Sequence, residues 1–343
     1  MIIIRAIKLH DKEAYEKFAF TTHIGVTSLP KNKETLHKKL MASIDAFSKE
    51  IKTPGKEIYL FIMEDLETGK QVGTCGIYAK TGGPEPVYFF RVETLYHQSK
   101  ILALPKETRI LHTVSYSEGP SEICSLYILP EFRHGGHGRL LSLSRFLFIA
   151  TFPERFDHTI LSNMRGVIDD NDRSAFWDGF GRFFLEMEFS EVMAMIDANL
   201  RDFIPHYLPK YPVYVSLLKK SAQNAIGATH PHTKPALTML TKEGFRATGE
   251  IDIFDGGPIL SAQTDNIRSI VESKVGTIGK ITTDPIDSPN YIVCNNLLDF
   301  RAAFGKVKEE NQHLAINPEL ATALKVKVND KIRYVTSGHE DHS

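Results

Sequence analysis

In this 343-residue chain, a glycine-rich turn between an apolar strand and an apolar helix carries the most legible chemistry. Ile123-Cys124-Ser125-Leu126-Tyr127-Ile128-Leu129 is short, apolar and β-favourable, so it reads as a buried strand that Pro130 ends. Arg133-His134-Gly135-Gly136-His137-Gly138 follows, and then Leu140, Leu141, Leu143, Phe146, Leu147 and Ala150 recur at helical spacing. Strand, glycine-rich loop and helix N-terminus together make a phosphate site. Glycines let backbone N–H groups approach an anion, and the helix dipole favours negative charge there. The loop has neither the Gly-Lys-Ser/Thr ending of a nucleoside-triphosphatase loop nor a G-x-G-x-x-G.

The remaining reactive side chains are less clustered. Fourteen histidines show no H-E-x-x-H or comparable spacing, so no metal is expected. Cys75, Cys124 and Cys294 are scattered, with no C-x-x-C; reduced thiols and a cytoplasmic protein are the expectation. Cys124 lies mid-strand, where an inert buried thiol is commoner than a nucleophile. His230 follows Gly227 in a loop and precedes Pro231, which disfavours helix at that position. Its imidazole could accept a proton at neutral pH, or could equally be a solvated or turn-stabilising ring; His232 is the competing candidate.

Composition bounds the rest. Hydrophobic content of 42% and charged content of 24% are those of an ordinary globular chain. A formal net charge of −1 argues against a nucleic-acid partner, and no apolar run approaches the ~20 residues that cross a bilayer. Ile2-Ile3-Ile4-Arg5 reads as a first strand without a secretory cleavage site. Asp11 is placed to cap a helix through Phe20, and Lys33 to Lys49 is a second helix with Leu36, Leu40, Ile44 and Phe47 on one face. Ile58–Glu64 and Gln71–Tyr78 form a hairpin, and Val87–Leu95 extends the sheet.

Downstream, the aromatic run Asp169–Met187 is expected to be a helix before a strand, and Val213–Ile226 a helix. A second helix-then-strand pattern at Ala236–Phe245 and Gly249–Phe254 suggests two related half-units, 1–190 with the phosphate loop and 191–258 without it. Residues 259–343 read as a small β-rich domain with strands over Ile267–Ile278 and Ile281–Val293 and a frayed tail from Gly338 to Ser343. Such a β-rich tail is compatible with a homo- or hetero-oligomer.

Arg133-x-x-Gly136-x-Gly138 resembles the pyrophosphate pattern of the GCN5-related N-acyltransferases, as does the order of elements around it. This resemblance implies an α+β fold (three-layer α/β/α) with a mixed sheet. The loop would hold the diphosphate of coenzyme A, and Leu126 to Ile128 would offer backbone hydrogen bonds to the pantetheine arm. Seven further stretches are similar to the arginine N-succinyltransferase family: Gly25–Pro30, Arg91–Leu95, Ser121–Leu126, Met164–Asp169, His230–Ala236, Glu243–Phe245 and Asp252–Pro258. The histidines between the loop glycines depart from the pattern, which bears on loop detail rather than on phosphate binding.

The family resemblance implies transfer of succinyl from succinyl-CoA to the α-amino group of L-arginine, with His230 catalytic and Leu126 a succinyl-CoA contact. A thioester is already activated, so direct attack suffices, with a backbone N–H near Leu126 stabilising the oxyanion. A guanidinium calls for carboxylates, with Glu93, Glu122, Asp169 and Asp170 as candidates; the succinyl carboxylate calls for a cation, Arg91 or Arg165. Two alternatives stay open: an acyltransferase acting on ornithine or another amine, and a non-catalytic acyl-CoA-binding protein.

Overall fold

The computed structural model describes residues 1–82, 86–98 and 106–338, so residues 339–343 of the expected frayed tail lie outside the described residues. β1 (Ile2–Ala6) leads to α1 (Lys12–Thr21) and α2 (Lys33–Ser48), the latter capped by Asn32, whose side chain accepts the Thr35 N–H at 3.0 Å. β2 (Ile58–Asp65) and β3 (Lys70–Tyr78) are the expected hairpin. β4 (Val87–His97) and β5 (Lys106–Tyr116) pair along their whole length. β6 (Ser121–Ile128) and α3 (His137–Thr151) flank the glycine loop, and β7 (Thr159–Asn163) follows.

The aromatic stretch then forms one π-helical turn, Trp177–Gly181, running into α4 (Arg182–Leu185) and α5 (Phe189–Asp197). The strand expected after it is therefore a helix; Phe189, Val192, Met193 and Ile196 bury one face of it against Phe180 and Trp177. α6 (Ile204–Tyr207) precedes β8 (Val213–Tyr214), then α7 (Lys220–Ala225), α8 (Lys234–Lys242) and β9 (Arg246–Asp252). The helix expected over Val213–Ile226 thus begins only at Lys220, because Val213 and Tyr214 pair with Leu111 and Ile110 of β5.

The last part comprises β10 (Pro258–Gln263), α9 (Arg268–Val271), β11 (Lys274–Ile281), β12 (Asn290–Asn295), β13 (Arg301–Lys306), β14 (Lys308–Glu310), β15 (His313–Ile316), α10 (Pro318–Leu324) and β16 (Lys331–Thr336). Two expected strands shrink here. Ile267–Ile278 begins with α9, and Ile281–Val293 is loop over 282–289, between the end of β11 and Asn290, since Pro285 and Pro289 cannot donate to a ladder.

Among the described residues the strands form one mixed sheet in the order β14-β15-β11-β16-β12-β13-β1-β2-β3-β6-β7-β10-β9-β4-β5-β8. Only β6–β7 and β11–β15 are parallel. β10, whose first residue is the expected domain boundary, pairs with β7 on one side and β9 on the other. The sheet is also continuous into the residues beyond that boundary, because β13 pairs with β1. The main core gathers where Phe47 of α2 and Phe148 of α3 both meet Tyr59 and Phe61 of β2, with ring centroids 5.2–5.6 Å apart. Among the described residues no helix is long and apolar enough to cross a membrane.

Asp11 does not cap α1 through its side chain. It is fully buried, and its carboxylate accepts both terminal nitrogens of Arg5 at 2.7 Å and the Lys8 N–H at 2.8 Å. Arg5 also donates to Glu64 of β2, so this guanidinium ties β1, β2 and the start of α1 together. Removing one partner strands a buried charge. Asp11→Ala should lower the unfolding free energy by about 3–5 kcal/mol, read as a fall in the urea midpoint; a midpoint shift under a fifth of that would show the network to be dispensable.

Candidate active site

β6 and β7 pair only at Ser121–Ile160 and Glu122–Leu161, after which the two strands part. On its other side β6 carries a bulge: Thr74 pairs with Tyr127 but Gly76 pairs with Cys124, so Ser125 and Leu126 together oppose Cys75. Ser125 adopts φ +56°, a left-handed conformation uncommon for serine. The distortion is pinned from the Gly25–Pro30 stretch, since the Ser125 N–H donates to Ser28 Oγ at 3.0 Å and Ser125 Oγ donates to the Ser28 carbonyl at 3.1 Å. Two adjoining cavities open from the gap. One, of about 240 Å³, includes Leu126, Arg145, Arg165 and His232 in its walls; the other, of about 320 Å³, includes Lys39, Tyr78 and Arg201. Ser28, Glu122, Asn163 and Asp252 line both.

β6 runs directly into the phosphate loop. Gly136, at φ +75°, is the residue before α3, and a Cβ there would come within 3.4 Å of the Phe304 ring. The first turn closes through His137 N–H to His134 O and Leu140 N–H to Gly136 O, leaving the N–H groups of Gly136 and Gly138 without a protein acceptor among the described residues. Arg133 is exposed; its Nε donates to Ile128 O at 2.9 Å and its guanidinium lies over the Tyr127 ring. Arg133, Gly136 and Gly138 line neither cavity. They lie at the far end of β6 from Glu122, where an anion has open access.

His230 is half-buried beside the smaller cavity without lining it, whereas His232 and Thr233 do line it. The His230 N–H donates to Arg165 O at 2.9 Å, and its Nδ1 accepts the His232 N–H at 3.2 Å. Burial and the nearby Arg165 guanidinium hold the imidazole below its usual value. At neutral pH the ring is therefore uncharged, and with Nδ1 accepting, its proton is on Nε2. Nδ1 is held by this turn contact, and the Ile168 backbone is a further hydrogen-bond partner of the ring.

Arg165 lines the smaller cavity, with Nε donating to Ile24 O at 3.1 Å and no ion pair among the described residues. The turn that carries it is fixed by Asp255, whose two oxygens accept the N–H groups of Gly166 and Gly257, each at 2.8 Å. A Cβ on Gly166 would meet Asp255 O at 2.3 Å, so this approach requires glycine. Burial, and then Asp252, push the Asp255 carboxyl up to about 8. Cys124 is buried and its thiol pushed up to about 11, which leaves it unreactive.

Of the expected substrate-binding residues the cleft brings together Glu122 and Arg165. Arg91 does not join them: it is exposed on β4 and paired with the buried Glu250 at 2.8 Å, which Tyr116 also contacts. Asp169 is exposed too, accepting the Asn171 and Arg173 N–H groups and pairing with the Arg173 guanidinium at 3.1 Å. Neither Glu93 nor Asp170 lines either of the two cavities. Conversely, Lys39, Arg201 and Asp252 line the cleft without having stood out in the sequence. Lys39 looks like one more lysine on an amphipathic helix, and Arg201 belongs to no motif. Asp252 lies within Asp252-Ile253-Phe254-Asp255-Gly256-Gly257-Pro258, where turn chemistry masked it.

Glu122 is half-buried at the junction of the two cavities, and burial pushes its carboxyl up to about 7. A carboxyl raised above its unfolded value favours the protonated fold. Its stabilising effect is complete below the unfolded value of about 4.5 and is lost as pH rises through about 7. Glu122→Gln should therefore shrink the fall in urea midpoint that wild type shows between about pH 5 and about pH 8; an unchanged fall would mean that Glu122 is solvated.

The family model described as arginine N-succinyltransferase beta subunit matches residues 2–269, and that of the subunit's C-terminal domain matches residues 274–336. Arginine N-succinyltransferases of Salmonella schwarzengrund (strain CVM19633) and Salmonella agona (strain SL483) are each 38% identical over 336 residues, covering 98% of this chain and 97% of theirs. Among solved structures, arginine/ornithine succinyltransferase subunit AI from Pseudomonas aeruginosa matches with a TM-score of 0.89 at 33% identity, covering 99% of both chains. A match of this extent makes the chain a member of the arginine N-succinyltransferase beta-subunit family.

Proposed function

We propose that this protein transfers succinyl from succinyl-CoA to the α-amino group of L-arginine. The observation that carries the reading is the course of β6, which joins a carboxylate-lined cleft at Glu122 to an open phosphate loop at Gly136. The diphosphate of the donor binds the N–H groups of Gly136 and Gly138 with Arg133 alongside. The pantetheine arm follows the free edge of β6 to Leu126, and the succinyl carboxylate pairs with Arg165 in the smaller cavity. Asp255 is committed to Gly166 and Gly257, whereas Glu122 accepts no hydrogen bond from the protein among the described residues and meets the ammonium of the acceptor; Asp252, which accepts the Phe254 and Asp255 N–H groups and the Asn163 amide and still lines both cavities, meets the guanidinium. Buried free cysteines suit a reducing compartment, the cytoplasm.

The proton steps follow from the two environments. With its carboxyl near 7, Glu122 is poised to accept a proton from the substrate ammonium at neutral pH. The freed amine attacks the thioester carbonyl, the N–C bond forms, and the C–S bond breaks. A second ammonium proton passes to the departing sulfur and the third stays on the amide nitrogen, so one proton in total, the one Glu122 took, leaves to solvent. His230, neutral with its proton on Nε2, donates to the carbonyl oxygen as charge builds there, together with the N–H of Leu126 at the bulge.

Free-thiol release with succinyl-CoA and a panel of arginine, ornithine and norleucine tests the assignment. Arginine should be turned over, and norleucine should be disfavoured by several kcal/mol, about 10³-fold or more, because it leaves buried carboxylates unpaired. Comparable turnover of norleucine and arginine would leave only a general amine acyltransferase.

His230→Ala should lower kcat by about 10²–10³ while donor KM stays near wild type, and His230→Gln should recover part of the loss through its amide N–H. His232→Ala should do far less. Sensitivity at His232 with a silent His230→Ala would move the role to the ring that lines the cavity.

A further inference from the structure

Arg201 has no partner of its own kind. It is half-buried in the wall of the larger cavity, and among the described residues it makes no ion pair and no side-chain hydrogen bond; its Nε is fully enclosed without an acceptor. Buried donors left unpaired are rare and costly, more so when charged. A second cation shares the cavity. Lys39 donates to the Ser28 carbonyl at 2.8 Å and lies over the Tyr78 ring at 5.1 Å, which leaves other N–H donors free. Burial first, with the Arg201 guanidinium adding to it, lowers the Lys39 ammonium to about 8. Two cations in one partly enclosed space, neither neutralised by a carboxylate ion pair, are set for an anion.

We infer that Arg201 and Lys39 clamp the α-carboxylate of the acceptor, so that the enzyme selects an α-amino acid and not merely an amine. The inference rests on the proposed transfer to arginine and deepens it. A guanidinium offers a planar fork that matches a carboxylate, and Lys39 adds a point charge beside it. Glu122 lies on the same cavity wall, so carboxylate and ammonium of one α-carbon find opposite charges in one space, with the amine facing the junction where the donor ends. The carboxylate of the succinyl group is the other anion in the reaction. It meets Arg165 in the smaller cavity, beside Leu126, and so does not need Arg201.

Calorimetric binding of L-arginine and of agmatine, which lacks only the carboxylate, reads the clamp directly and without a donor. Wild type should bind arginine about 10–100-fold more tightly than agmatine, the range expected for charge-assisted hydrogen bonds. Arg201→Met should erase most of that preference by weakening arginine alone, and Lys39→Met should reduce it less. Equal affinity of wild type for the two ligands overturns the inference whether or not either variant folds, as does failure of arginine to bind. An Arg201→Met protein that keeps its arginine preference but loses discrimination between succinyl-CoA and acetyl-CoA also overturns it, by giving the clamp to the donor. Retained arginine selectivity without thiol release in wild type would count against succinyl transfer and leave the carboxylate clamp standing.

Discussion

The site depends on two parallel strands that stop pairing. β6 and β7 share two residue pairs and then separate, which exposes backbone N–H and C=O groups inside the protein. Such groups must be satisfied, and here other parts of the chain satisfy them. Ser28 takes the Ser125 N–H, the buried guanidinium of Arg145 donates to Cys124 O at 3.3 Å, and Asp255 takes the Gly166 N–H just beyond β7. The gap is thus held open by side chains from α3, from the loop before α2 and from the turn after β9. Each of these also forms part of the cleft wall, so the devices that keep the strands apart shape the cavities between them.

Charge within the cleft is distributed by the same geometry. Glu122, Asp252 and Asp255 come from the ends of β6 and β9, whereas Lys39, Arg165 and Arg201 approach from helices and loops outside the sheet. Burial works against ionisation on both sides, raising Glu122 and Asp255 and lowering Lys39. A zwitterionic acceptor and an anionic donor supply the opposite charges that these groups lack. Preorganised but incompletely paired groups of this kind lose little when the ligand arrives, and they discriminate strongly against a ligand that leaves one of them bare.

The C-terminal strands contribute to the site indirectly, through α3. Arg333 of β16 donates to the Ala150 carbonyl and Thr151 Oγ1 at the C-terminus of α3, where a cation is favoured. At the other end Arg139 donates to Ser337 O, and Phe304 of β13 lies beneath Gly136. The helix that presents its N-terminus to phosphate is therefore braced at both ends by the last part of the chain. That bracing gives the β-rich segment a structural reason to continue the main sheet through β13 and β1.

The sequence alone determined what local rules govern: the hairpin of β2 and β3, the strand–glycine loop–helix around Gly136, the second helix-and-strand at α8 and β9, and the family. Each is set by residues close together in the chain, through periodicity, turn chemistry and glycine spacing. Tertiary structure decided which charged side chains share the cleft. Arg91 and Asp169 lie in conspicuous stretches yet are neutralised by Glu250 and Arg173, whereas Lys39 and Arg201 are unremarkable in sequence and face the cavity. It also decided the state of His230, because the Nδ1 bond to the His232 N–H and the charge of Arg165 exist only once the turn is folded. The physical reason is common to all of these: a side chain's type is local, but its burial and its partner belong to whichever distant segments the sheet brings alongside it.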